Sequence, residues 1–159
     1  MNPITLQIIS NAIVLLGVLV AIGTIIYNVR TAKKTQTANF LFESRQDMQY
    51  IESLHTLKQV HRSYVFPCDG CTITDEEMAE RRKFQYILNF YERVAVSIRE
   101  GIYDEKMIKR TSYTTVVETY DIAEPLIKAI RESINSDTTY QEFEWLVRRW
   151  KANPLRKNK

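Results

Sequence analysis

Charge is missing from the start of this chain. The first 29 residues contain no Asp, Glu, Lys or Arg, so all 22 Lys and Arg and all 19 Asp and Glu lie from residue 30 onward. Such a division between apolar and charged sequence excludes a simple soluble enzyme. The sequence also lacks a second apolar run of spanning length, which excludes a channel or transporter with several spans in one copy.

The uncharged stretch predicts a single transmembrane helix over residues 4–27. A helix rises about 1.5 Å per residue, so this length can cross a hydrocarbon core of about 30 Å. Asn2 and Pro3 fit an N-cap and a first-turn proline, and Tyr27 fits an aromatic belt. A cleaved signal peptide is disfavoured because no positive n-region precedes the run. A buried core helix is disfavoured because the run is apolar on all sides.

Basic residues follow the apolar run and predict its orientation. Arg30, Lys33 and Lys34 lie in a juxtamembrane segment, residues 28–39, that contains no acid. The positive-inside rule then places the remainder of the chain in the cytoplasm and the short N-terminus outside. With Tyr27, these three cations are the predicted membrane-anchoring residues.

Within the predicted span, Gly17 and Ala21 form a small-xxx-small pair that could let two spans pack closely. Gly and Ala are also common in such helices, and we favour that plainer explanation.

The remaining sequence predicts an all-α body, residues 40–152, of four or five helices, followed by a basic tail, residues 153–159. Apolar residues recur at helical intervals, and no run is typical of a strand. We expect a helix from Thr35 to about Tyr64 and a second one capped by Thr74 and Glu77 that ends before Gly101. We expect a third helix capped by Asp104, kinked or restarted at Pro125, and a last one from Thr138 to Ala152.

Cys68 and Cys71 form a Cys-x-x-Cys pair that could hold a metal or act in redox chemistry. A zinc site needs four ligands, and the only further candidates are His55 and His61, six residues apart. We favour plain loop cysteines, because a second half-site is missing and the thioredoxin type of motif needs a βαβ context.

Asn89 and Glu92 are the most notable polar pair on a predicted core helix, and Arg131 could pair with Glu92. A polar pocket or carboxylate site is one interpretation, and a buried network that fixes helix register is the other. We favour the network, since no acid–base partner or phosphate loop accompanies the pair. No catalytic residue is assigned, no cofactor is expected, and a non-enzymatic role is favoured.

The chain end from Arg148 onward is basic and has no acid. Together with the cations after the span, it could form a basic surface facing the membrane. Nucleic acid is the rival partner and a solvated tail the plainer explanation. We do not favour nucleic acid.

The segments Ile87–Ala95, Glu100–Glu105 and Tyr140–Leu146 resemble a bacterial and phage family of unknown function, with Pro125, Arg131 and Trp150 continuing the likeness. Members are small proteins with one N-terminal span and a helical domain, and some of similar layout are described as phage abortive-infection proteins. The resemblance implies a bacterial inner-membrane protein with a cytoplasmic helical domain, and a setting of phage–host conflict. It implies no activity, and Cys68 and Cys71 are not part of it.

The expected function is therefore an interaction or scaffold protein held at the inner membrane. The expected partners are the lipid bilayer, a second copy of the chain and an unidentified protein. A tethered enzyme or nucleic-acid effector using Asn89 and Glu92, and a metal or redox sensor using Cys68 and Cys71, are the alternatives.

Overall fold

The computed structural model describes residues 2–60 and 74–155, and these residues form five helices with no strand among them. The all-α prediction is confirmed. In chain order the helices are α1 (Pro3–Gln46), α2 (Met48–Val60), α3 (Asp75–Arg99), α4 (Glu105–Ile134) and α5 (Gln141–Ala152).

Helix α1 contains the uncharged stretch and extends well beyond it. Asn2 caps it, Pro3 occupies its first turn, and it runs without a break to Gln46. Every residue from 3 to 32 is exposed. By length and composition α1 could cross a membrane. The helix also passes through the predicted boundaries at residues 27/28 and 39/40, so the basic segment is helical.

The second part of α1 belongs to the helical body. Thr37 is fully buried, and its Oγ1 accepts a hydrogen bond of 2.8 Å from the backbone N–H of Asp104. One turn later, the ring of Phe40 stacks on Tyr103 with centroids 4.8 Å apart. These contacts attach the long helix to the corner between α3 and α4.

Two contacts fix the direction of α3 relative to α1. Phe90 stacks against Phe40 with ring centroids 5.7 Å apart. Lys33 Nζ lies 3.9 Å from the position that a β-carbon on Gly101 would occupy. Phe90 thus contacts the later α1 residue, Phe40, whereas Gly101, after the end of α3, contacts the earlier α1 residue, Lys33. The two helices are therefore antiparallel. The corner between α3 and α4 consequently lies beside the part of α1 that follows the apolar stretch.

The hydrophobic core is formed mainly by α3, α4 and α5. Burial of one large apolar side chain contributes about 1.5–3 kcal/mol, so these helices stabilise one another. Their largest fully buried side chains are Trp150, Phe143, Ile87, Leu88, Ile108, Ile127, Leu146, Val116 and Val147.

Several predicted helix ends are confirmed. Thr74 and Glu77 form a capping box at the start of α3, and the side chain of Asp104 accepts the N–H of Met107 at the start of α4. The chain turns after α3 at Gly101, whose φ of 74° favours glycine because it has no β-carbon.

Other predicted ends are wrong. The helix expected from Thr35 is interrupted at Asp47, whose extended backbone separates α1 from α2. Of the two outcomes expected at Pro125, the restart is wrong, because α4 continues through this residue, while the kink stays a prediction. Helix α5 begins at Gln141 rather than Thr138, because Tyr140 adopts a left-handed backbone with φ of 57°. The predicted end near Tyr64 lies outside the described residues.

Candidate functional site

The predicted anchoring residues all lie on α1. Tyr27, Arg30 and Lys34 are exposed, and Lys33 is half-buried against the corner at Gly101. Because α1 is continuous, these side chains stand at fixed heights along one helix, about 1.5 Å apart per residue. Lys33 therefore lies about 9 Å beyond Tyr27 along the helix axis.

Gly17 and Ala21 lie on the exposed part of α1. A β-carbon added to Gly17 would meet nothing within 4 Å. The surface around the pair is therefore open, and within this chain nothing packs on it among the described residues.

Glu92 reaches from α3 to the start of α5. Its carboxylate accepts the backbone N–H of Glu142 at 3.2 Å and that of Phe143 at 2.7 Å. Tyr140, the N-cap residue, makes no side-chain capping bond. The first N–H groups of a helix have no partner within it, and a carboxylate there also interacts favourably with the helix dipole. Glu92 thus replaces the missing local cap from another helix.

Arg131 approaches the same helix start from α4. Its Nε donates to the carbonyl of Thr139 at 2.9 Å, and its guanidinium lies 2.8 Å from the carboxylate of Glu144. Its Nη2 is buried and has no hydrogen-bond partner among the described residues. Glu92 and Arg131 are therefore brought to one place, the start of α5, but through different partners. Asn89 is exposed and is not a partner in these contacts.

Burial dominates the electrostatics of Glu92. It raises the pKa of this carboxyl above its usual value, although the two hydrogen bonds from α5 and the charge of Arg131 act in the opposite direction. A carboxyl with both oxygens engaged by backbone N–H groups is held in one orientation. Glu92 from α3 and Arg131 from α4 both hold the start of α5, so together they join these three helices.

An open groove of about 500 Å³ runs along the exposed side of α3. Stacked aromatic rings form part of its lining, and Arg93 and Ser97 add polar atoms. Glu92 also belongs to the lining, but its carboxylate is engaged by the backbone of α5. The lining residues are Phe40, Phe90, Glu92, Arg93, Val94, Val96, Ser97 and Tyr103.

The metal and redox candidates divide between described and undescribed sequence. His55 is exposed on α2, with its Nε2 3.3 Å from Nε2 of Gln59. His61, Cys68 and Cys71 lie outside the described residues. Within the described ranges no group of three or more His, Cys, Asp or Glu could hold a metal ion.

Sequence reasoning missed two polar residues that connect distant elements. Thr37 binds the corner at Asp104, and Glu105 accepts from Arg149 at 2.9 Å and from the indole N–H of Trp150 at 3.2 Å. Burial pushes the pKa of Glu105 up, but the bonds and charge of Arg149 outweigh it and lower that pKa. Thr37 and Glu105 resemble any other polar residue of a helix, because their partners lie far along the chain. No local pattern in the sequence therefore distinguishes them.

These features define a class of protein in which one long helix joins an apolar segment to a helical body. Residues 11–150 match the family model described as Domain of unknown function (DUF4760). The match covers most of the chain, and the protein belongs to this family. The predicted resemblance to an uncharacterised family is confirmed, while the family description gives no link to phage. No curated protein and no solved structure matches the chain.

Proposed function

We propose that this protein is a single-span membrane-anchored interaction module. The first part of α1 crosses the bilayer, the N-terminus lies outside, and the helical body lies in the cytoplasm next to the membrane. The body binds a partner there, and the anchor raises the local concentration of the two.

One observation carries this proposal, namely that α1 is a single helix of 44 residues with two different surroundings. Its first thirty or so positions are exposed and largely apolar, whereas Thr37 and Phe40 pack into the body. An exposed apolar surface of this extent is costly in water and favourable in lipid. A cleaved signal peptide accounts poorly for a helix that continues into the folded body.

The polar residues of the body support a role in structure rather than catalysis. Glu92 is committed to the start of α5, and Arg131 to Thr139 and Glu144. Asn89 is exposed one turn before Glu92 and takes part in none of the contacts just named. We infer that Glu92 and Arg131 form a network that fixes how α5 sits on α3 and α4.

Three finer points of the proposal rest on sequence. The positive-inside rule gives the orientation. The resemblance to small bacterial and phage membrane proteins gives the inner membrane and the setting of phage–host conflict. Gly17 and Ala21 give a surface on which two copies of the span could associate. A change in phage plating efficiency on expression of the protein is the measurement that addresses the conflict setting.

Insertion is tested with full-length protein in bacterial membranes. The wild-type chain should stay in the pellet after alkaline carbonate, and a fluorescent reporter at the C-terminus should fold in the cytoplasm. Leu15→Arg/Leu16→Arg should release the chain, since each Arg at the centre of a span costs about 2.5–3.5 kcal/mol. The control Thr31→Arg/Thr35→Arg, on the same helix beyond the span, should stay in the pellet. A wild-type chain that washes off would contradict the proposal.

Partner binding is tested by cross-linking and pull-down from gently solubilised membranes. A reproducible partner or a defined oligomer is expected. Gly17→Leu/Ala21→Leu should weaken association between copies, while Ile22→Leu/Ile26→Leu serves as the control because it conserves volume. Recovery of monomer alone, with no reproducible partner, would refute the interaction role.

A further inference from the structure

We infer that the corner between α3 and α4 is a second membrane-binding surface, which docks on anionic lipid headgroups beside the span. This inference rests on the proposed function, because it needs α1 to be inserted. The surface is formed by Lys33, Gly101, Ile102, Lys106 and Arg110, and we refer to it as the membrane-proximal corner.

The attachment of the corner to α1 sets its height above the bilayer. Gly101 lies beside Lys33, and the backbone of Asp104 is hydrogen-bonded to Thr37. Lys33 is about 9 Å along the helix from Tyr27, which marks the end of the apolar stretch. The headgroup layer occupies about 5–7 Å on each side of the hydrocarbon core. Gly101 therefore lies at the outer boundary of the headgroups. Asp104, beside Thr37, lies about 15 Å beyond Tyr27, which is about one Debye length of 8 Å farther out at physiological salt.

The chemistry of the corner fits a lipid surface. Ile102 lies at the tip of the corner and is 46% exposed. An apolar side chain there is stabilised when it leaves water and enters the headgroup layer. Lys106 and Arg110 are exposed one turn apart on α4. None of the cations on α4 at this corner or on the segment of α1 after the apolar stretch makes an ion pair with another described residue. These cations are Arg30, Lys33, Lys34, Lys106 and Arg110.

The acids near the corner are largely engaged elsewhere. Asp104 caps α4 through its carboxylate, and Glu105 is bound by Arg149 and Trp150. Two exposed acids remain near the corner, namely Glu100, whose neighbour Arg99 is bound to Glu142, and Glu43 close to Tyr103. The free cations therefore outnumber the free acids at this end of the body, and charge favours anionic over neutral lipid.

Docking would hold the body in one orientation on the membrane. Each Lys or Arg near an anionic surface strengthens binding by about fivefold, so Lys106 and Arg110 together supply up to about twenty-five-fold when both reach the headgroups. Because α1 is inserted and continuous with the body, this factor acts on the tilt of α1 and the body together, which brings the corner toward or away from the headgroups. The face of the body opposite the corner would then be the one presented to the cytoplasm.

The test uses full-length protein in nanodiscs, which expose both sides of the bilayer. A polarity-sensitive fluorophore is placed at Ile102→Cys, or at the exposed control position Ile134→Cys at the far end of α4, in a Cys68→Ser/Cys71→Ser background. Quenching by aqueous acrylamide is compared between neutral phosphatidylcholine and lipid with about one-third phosphatidylglycerol. At position 102 the quenching constant should fall at least twofold in the anionic lipid, and at position 134 it should not change.

Charge variants complete the test. Lys106→Gln/Arg110→Gln should abolish the protection at position 102, and high salt should do the same. The control Arg81→Gln/Arg82→Gln, on the part of α3 far from the corner, should leave protection intact. Equal quenching in both lipids, or protection that survives Lys106→Gln/Arg110→Gln, would overturn the inference while insertion stands. A chain that does not co-purify with nanodiscs would instead refute the proposed function.

Discussion

Substitution of Glu92 tests the tertiary contact that organises the end of the fold. Glu92→Ala removes the only side chain that caps the start of α5 among the described contacts, and leaves the N–H groups of Glu142 and Phe143 without an acceptor in a half-buried place. Loss of a helix cap costs about 0.5–2 kcal/mol, and a hydrogen bond to a charged group contributes about 1.5–3 kcal/mol. Since water can replace part of the loss, we expect about 2 kcal/mol.

Thermal unfolding in detergent, followed by circular dichroism, measures this effect. A loss of about 2 kcal/mol should lower the Tm of a body of this size by roughly 6–10 °C. Glu92→Gln keeps one acceptor oxygen but loses the charge, so about half that effect is expected. Asn89→Ala, three residues earlier and exposed on the same helix, should change stability by less than about 0.5 kcal/mol.

A local readout separates capping from general damage. In Glu92→Ala, hydrogen exchange should accelerate first at the amides of Glu142 and Phe143 and only later in the middle of α3. If Glu92→Ala is no less stable than Asn89→Ala, or if the start of α5 exchanges as slowly as in the wild type, the structural role given to Glu92 is wrong.

Two further substitutions test the contacts that join the start of α4 to α1 and to α5. Thr37→Val keeps the shape of a fully buried side chain but removes the acceptor of the Asp104 N–H, which should cost about 1–2 kcal/mol in chemical denaturation. Glu105→Gln should cost about 1 kcal/mol at pH 7, because it loses the charge that binds Arg149. The pKa of Glu105 is lowered in the folded protein, so its contribution is present above its ordinary value of 4.5 and is lost as the pH falls through the folded value. The stability of wild type and Glu105→Gln should therefore converge in acid.

Matched variants control these two tests. Thr35→Val, exposed on the same helix as Thr37, should be nearly neutral, and an equal loss for both would contradict the role of the buried hydroxyl. Glu118→Gln replaces an exposed acid with a Lys58 partner at 3.5 Å and should change stability little. A Glu105→Gln deficit that does not shrink as the pH falls below 4.5 toward the acid limit of folding would contradict the linkage argument.

Local signals were sufficient for much of the fold. The capping box of Thr74 and Glu77, the cap at Asp104 and the turn at Gly101 each depend on chemistry within a few residues, and the structure confirms all three. The start of α5 could not be predicted this way. It depends on Tyr140 in a left-handed conformation and on a cap supplied by Glu92, which lies about fifty residues earlier in the chain.

The sequence by itself determined which part of the chain is suited to lipid and that the rest is helical, because hydropathy and helical periodicity are properties of neighbouring residues. Only the tertiary structure decided that Thr37 joins the long helix to the corner after α3, and that Glu92 and Arg131 meet at α5. These contacts join residues far apart in sequence. Their partners become evident only when the burial of apolar side chains has brought the helices together.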